Sequence, residues 1–206
     1  MTRPWSFWRN ASGASAAEFA LILPIFLTFL LGLTDVGRFA WAFAQLEKAT
    51  QAGARWAVTT DVIPSGLITY SYADQGGITQ GTVVPLSVFP GVHCVASSAG
   101  TPSCTCKTAN GTCAFSTSAS QTAFDNLIGR MRQVYPSIRS ENLVVDYDWS
   151  GLGFSGDPNG PDVAPIVTIS VQNMSFPMLF MLGTSVGLPT SRYSMTLEDG
   201  QGTVSN

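Results

Sequence analysis

The residues able to do chemistry are few. Cys94, Cys104, Cys106 and Cys113 share one stretch, and His93, the single histidine, precedes the first of them. Histidine and cysteine together raise zinc, but this spacing matches no usual pair of Cys-x2–4-Cys knuckles. An even, clustered set reads instead as disulfides formed in an oxidising compartment. Four cysteines allow three pairings. A Cys104–Cys106 bridge would close a strained small ring, which leaves the two pairings that send Cys104 and Cys106 to Cys94 or Cys113. A Ser-His-Asp triad would have to use His93, and Gly153-Phe154-Ser155-Gly156 lacks the glycine spacing of a nucleophile elbow. Asp157-Pro158-Asn159-Gly160-Pro161-Asp162 falls short of a calcium loop. Pro161 stands where an oxygen ligand is required, and Asp162 where glycine is required. A solvated turn is the better reading. No glycine-rich phosphate loop opens a helix. The expectation is a protein with no catalytic residues, no metal, no cofactor and no small-molecule substrate.

One further acid is out of place. Glu18 precedes the apolar run Phe19–Thr34, which carries no charge. With Ala14–Ala17 in front, this run reaches about the ~20 residues needed to span ~30 Å of hydrocarbon. A carboxylate drawn to mid-bilayer costs up to ~3 kcal/mol, so Glu18 either marks the headgroup zone or has a partner. Pro24 cannot donate to Ala20, a defect that membrane helices tolerate. Arg3 and Arg9 lie before the span, and residues 1–13 contain no acid. The positive-inside tendency therefore puts the N-terminus in the cytoplasm and everything after Asp35 outside. No small-residue cleavage site follows the apolar run, which argues against an ordinary secretory signal.

The totals agree with an anchored chain. The 206 residues suit one domain plus a membrane segment. They are 45% hydrophobic and 11% charged, far from the ~25% charge of soluble domains. Mean hydropathy is +0.22. A formal net charge of −3 argues against a nucleic-acid-binding face.

Helical periodicity continues beyond the span through Val36, Phe39, Phe43, Leu46, Thr50, Gly53 and Ala57, with Arg38, Gln45, Lys48, Gln51 and Arg55 on other faces. A helix from about Ala16 to Val58 would be roughly 60 Å long. Asp61 and Pro64 mark its end. Beyond it, Val83–Phe89 and Val92–Ala96 read as short strands, and Asn110-Gly111 as a tight turn. A second helix is expected over 118–135, opened by a Ser118/Gln121 capping box and closed by Pro136. Phe124, Leu127, Ile128, Met131, Val134 and Tyr135 form its apolar face. Leu143–Trp149, Ala164–Val171 and Arg192–Leu197 read as strands. Met174–Leu182 is a dense apolar stretch, either a short helix or a loop. Its Met178 and Phe180 either pack on the core or form a docking surface for another subunit or the membrane edge. The fold class is α+β, a long N-terminal helix with a small antiparallel sheet and a second helix.

The stretch Gly13-Ala14-Ser15-Ala16-Ala17-Glu18-Phe19 resembles a type IV prepilin processing site. That resemblance implies cleavage after Gly13, which makes Ala14 the mature N-terminus and Glu18 its fifth residue. Glu18-Phe19-Ala20, Pro24, the set Asp35/Gly37/Arg38 and Gly53-Ala54-Arg55 are similar, more narrowly, to the TadE-like family of tight-adherence (Tad/Flp) pilus systems. This match covers about a quarter of the chain. Cys104-x-Cys106 with Cys113 and the Phe176–Pro189 stretch match more weakly.

The resemblance implies a pilin-like minor subunit and divides the chain in four. Residues 1–13 would be a cytoplasmic leader, 14–35 a transmembrane helix, 36–60 an amphipathic continuation, and 61–206 a disulfide-bearing extracytoplasmic head. The implied partners are a prepilin peptidase, other pilin-like subunits, the inner-membrane assembly platform and membrane lipid. The implied location is single-pass in the inner membrane with a periplasmic head, or the pilus itself. A secretion-system pseudopilin and an uncleaved, anchored binding domain are the alternatives.

Overall fold

The computed structural model describes residues 13–158, 160–180 and 184–200. Most of the expected leader, Met181 and Leu182 of the apolar stretch, and the last six residues of the expected head lie outside the described residues. The chain divides into two compact units. One holds the chain up to Ala42 together with Ser175–Val186, and the other holds Phe43–Met174 and the chain from Gly187.

Helix α1 runs from Ala14 to Ala57 and continues through Pro24. Within the first unit its residues Phe19, Leu21, Ile22, Ile25, Phe26, Phe29 and Leu33 are all exposed. The helix is long and apolar enough to cross a membrane, with a mean hydropathy of 2.2 over its best window. It has the length and composition of a single-pass anchor. The same unit contains strand β5 (Ser175–Pro177) and all but the last residue of strand β6 (Ser185–Gly187), and the two strands pair with each other. The Met178 N–H donates to the Thr184 carbonyl at 3.0 Å. The apolar stretch after Met174 is therefore a strand and the start of a turn, not a helix. Pro177 fits this, because it needs no donor at a strand end.

In the second unit the later part of α1 becomes a core element. Leu46, Ala49, Thr50, Ala54 and Ala57 are buried at the i, i+3, i+4 spacing of one helical face. A Cβ at Gly53 would lie 2.7 Å from Met131 Cγ and Sδ, so glycine permits close approach of helix α2 (Gln121–Arg132). Ala123, Phe124, Leu127, Ile128 and Met131 form the buried face of α2. Its N-cap is Ser120, whose hydroxyl accepts from the Ala123 N–H at 3.3 Å. The expected Ser118/Gln121 box does not form. The Ser118 carbonyl is bonded to Ser65, and Gln121 Nε2 donates to Gly100 and Asp125 instead. The helix ends at Arg132, short of Val134 and Tyr135.

A five-stranded antiparallel sheet has the order β2-β1-β3-β4-β7. Its strands are β1 (Val92–Ala96), β2 (Pro102–Cys106), β3 (Leu143–Asp148), β4 (Ile166–Val171) and β7 (Ser191–Thr196). Val145, Tyr147, Val167 and Ile169 are buried in it. The Tyr147 hydroxyl accepts the Ile63 N–H at 3.1 Å. Val83–Phe89 is not a strand. Pro85 cannot donate to a ladder, and its carbonyl accepts from Val88 and Phe89 in a turn. Strand β2 was absent from the expected set. The chain closes on itself where the Glu198 and Asp199 N–H groups both donate to the Val58 carbonyl at 2.9 Å, just past the end of α1.

Candidate functional site

In the first unit one carboxylate collects its neighbours. Asp35 stands one residue beyond the charge-free run, and its side chain is fully buried. Its Oδ1 accepts the Leu179 N–H at 3.1 Å, and its Oδ2 accepts the Phe180 N–H at 2.8 Å. Arg38, one helical turn on, brings Nη1 to 2.9 Å from Oδ1. The spacing of three residues puts the acid and the base on the same face of α1, which is why the pair forms locally. The Arg38 guanidinium also lies 5.0 Å from the Phe176 ring centroid. Phe39 meets Phe176 edge-on, with centroids 5.9 Å apart and an 83° interplanar angle. Charge-assisted hydrogen bonds to two successive backbone amides, a cation over a ring and a T-shaped aromatic pair hold the β5–β6 hairpin to the helix.

The clamp leaves its outer surface apolar. Phe176 is buried and Met178 half-buried, but Leu179 is 62% and Phe180 45% exposed. Asp35, Arg38, Met178 and Phe180, singled out separately in the sequence, thus belong to one arrangement. Gly37 does not share it in a way that packing explains, since a Cβ there would meet nothing within 4 Å. Gly13 is equally unconfined. Glu18 is exposed on the first turns of α1, and Pro24 follows on the same helix. The sequence had marked Asp35 and Arg38 only as members of a motif. That Asp35 binds the Leu179–Phe180 backbone could not be read from it, because the two segments are 144 residues apart.

The other chemistry-bearing residues lie in the second unit. Cys94 pairs with Cys104 and Cys106 with Cys113, and no free cysteine remains. Cys94 and Cys104 are directly opposed in the β1–β2 register. With every sulfur in a disulfide, none is left as a thiolate metal ligand. His93 turns to a different partner. Its Nδ1 is 2.8 Å from Asp146 Oδ1, across the β1–β3 ladder where the two residues are opposed. Lys107 Nζ reaches Asp146 at 2.8 Å and Asp148 at 2.6 Å. Burial pushes the Asp146 carboxyl up, but hydrogen bonds from Lys107 and His93 outweigh it and hold the group below the ordinary aspartate value. Burial lowers Lys107, yet Asp146 and Asp148 together hold its ammonium above the usual lysine value. This is a structural charge network on the sheet.

A cavity of about 380 Å³ is lined in part by Tyr70, Asp74, Gln80, Asp157 and Asp162. Asp162 is buried, and its carboxylate accepts the Tyr72 N–H at 2.6 Å and the Asp157 N–H at 3.1 Å. It organises the loop in the manner of a turn residue.

No curated protein matches the chain, and no solved structure does. A family model does match, and it begins at Gly13 and ends at Arg55. Its span covers Glu18, Pro24, Asp35, Gly37, Arg38 and Gly53, the residues on which the resemblance rested. The matched family is pilus-associated and structural rather than catalytic. Residues 13–55 are thus similar to the TadE-like proteins.

Proposed function

We propose that this chain is a minor pilin-like structural subunit that assists assembly of a Tad-type pilus and is trimmed after Gly13 by a prepilin peptidase. The observation that carries this reading is the TadE-like match starting at Gly13, with Glu18 five residues into the chain that cleavage would leave. The apolar face of α1 supports it. Most of the large apolar side chains from Phe19 to Leu33 lie bare on the isolated chain, an arrangement that lipid or neighbouring helices can stabilise.

The chemistry follows from the two charges. Cleavage creates an ammonium at Ala14. In a low-dielectric bundle an unpaired carboxylate is costly and a paired one much less so. The Ala14 ammonium of one subunit neutralises Glu18 of its neighbour, so correct docking is favoured over misaligned docking. Residues 14–35 span the inner membrane, 36–60 continue as the amphipathic helix, and the head from 61 is extracytoplasmic, where its disulfides form. The partners are the peptidase, other pilin-like subunits and the assembly platform.

Mass spectrometry of the N-terminus, in cells with and without the peptidase, tests the proposal. A chain beginning at Ala14 only when the peptidase is present is expected, and an intact Met1 in both refutes processing. Glu18→Ala is expected to leave the protein in the membrane and to stop pilus formation. Normal pili from that variant would remove the pairing role.

A further inference from the structure

The Asp35 clamp lies at a particular depth on α1. The charge-free run Phe19–Thr34 ends immediately before it, and with Ala14–Ala17 that run provides about the ~30 Å that hydrocarbon requires. Trp41, 68% exposed, stands six residues further along, about 9 Å at ~1.5 Å per residue. Exposed tryptophan just beyond an apolar span is the pattern of a membrane–water interface. The clamp is therefore bracketed by an apolar span on one side and an interfacial aromatic on the other.

A bare acid at that depth would be unfavourable, and so would two bare backbone amides in a loop beside it. Here each satisfies the other. Asp35 accepts from the Leu179 and Phe180 N–H groups, and Arg38 supplies the balancing charge. The polar atoms turn inward, and the Leu179 and Phe180 side chains are left outside, at 62% and 45% exposure. Two successive residues with their backbone donors satisfied and large apolar side chains displayed are suited to the boundary between headgroups and acyl chains.

We propose that the segment Leu179–Phe180, just after β5, is a second membrane-contacting element. The Asp35 carboxylate holds it at the bilayer interface, continuous with the lipid-facing surface of α1. The occupant of this surface is lipid. The inference rests on reading α1 as a membrane span, and the experiment separates the two.

The full-length protein is reconstituted into phosphatidylethanolamine/phosphatidylglycerol vesicles with p-benzoylphenylalanine at position 180. Parallel preparations carry it at Phe26, in mid-span, and at Thr108, on the second unit. After illumination, mass spectrometry identifies the adducts. Intact disulfides serve as the folding control, and position 179 is labelled as a second site in case position 180 disturbs the turn. Lipid adducts at 26 and at 180 or 179, with none at 108, are expected. A lipid adduct at 26 alone overturns the proposal and leaves the anchor standing. No lipid adduct at any position overturns the anchor and the proposal with it. An adduct at 180 to a second copy of the chain, without lipid, also overturns the proposal. In Asp35→Ala the adduct at 180 should be lost while that at 26 persists. Its retention would remove Asp35 from the mechanism.

Discussion

The Asp35 carboxylate and the Phe180 amide are 145 residues apart along the chain and 2.8 Å apart in the fold. The neighbouring Leu179 amide binds the other carboxylate oxygen. One acid on the helix thus fixes the path of a hairpin made late in the chain, and removing it strands two donors together. Asp35→Ala is expected to cost ~1–3 kcal/mol for each amide left without a partner. Hydrogen exchange should accelerate at Leu179 and Phe180 and stay unchanged in β3 and β4. Asp35→Asn keeps one good acceptor and should fall between the two. Unchanged exchange at both amides in Asp35→Ala would show that the clamp does not hold the turn.

The contact between Gly53 and Met131 makes a second prediction. Gly53→Val places methyl groups where Met131 Cγ and Sδ now lie, and Met131 is fully buried. Overpacking of this kind costs ~1–3 kcal/mol. Met131→Ala alone should cost ~2–5 kcal/mol through its cavity. In the double variant the valine occupies part of that cavity. Chemical denaturation should show a loss smaller than the sum of the two single losses, a coupling expected of residues in contact.

The disulfide pairing can be tested by counting thiols. Cys94→Ser with Cys104→Ser removes both ends of one bridge and should leave no free thiol. Cys94→Ser with Cys106→Ser removes one end of each, and Cys104 and Cys113 should both react with maleimide. The two bridges close loops with sequence separations of 10 and 7. On the chain-entropy account, loss of either should lower stability by ~2–3 kcal/mol. Cys94 adds a packing loss because it is fully buried.

The charge network on β1, β2 and β3 sets a pH dependence of known sign. The Asp146 carboxyl is lowered in the fold, so its contribution is complete above the unfolded aspartate value of ~3.9 and is lost as pH falls through the lower folded value. Lys107 is raised, so its contribution is complete below the unfolded lysine value of ~10.4 and is lost as pH rises through the higher folded value. The urea midpoint should therefore drop at both extremes. In Asp146→Asn the acid-side drop should shrink, because that group no longer takes up a proton.

How far the sequence could be read depended on whether the signal was local. Helix α1 was legible because both of its signals are local. The charge-free run gives the span, and the spacing of Leu46, Thr50, Gly53 and Ala57 gives the buried face. Strands β3 and β4 were legible from β-branched runs such as Ile166-Val167-Thr168-Ile169. Strand β2, Pro-Ser-Cys-Thr-Cys, has almost no apolar content, and its place follows from pairing with β1. Val83–Phe89 has the content of a strand but contains Pro85, whose missing donor favoured a turn. The cysteines were legible as a disulfide set from their number and clustering. The Asp35–Phe180 contact and the His93–Asp146–Lys107 network were not, because each is made by strand register or chain return.

The bonds from Glu198 and Asp199 to Val58 carry a consequence for the order of assembly. The helical strip from Leu46 to Ala57 is among the first parts of this unit to be synthesised, yet the amides that bond the carbonyl just past its end come from near residue 200. Until those arrive, helix α2 can meet the strip at Gly53 and Met131, but the Val58 carbonyl lacks the two donors that close the chain. Contacts across so much of the chain form slowly. The waiting period, rather than the finished fold, is when the protein is most vulnerable to self-association, and the greasy rod at its centre is what would be seized.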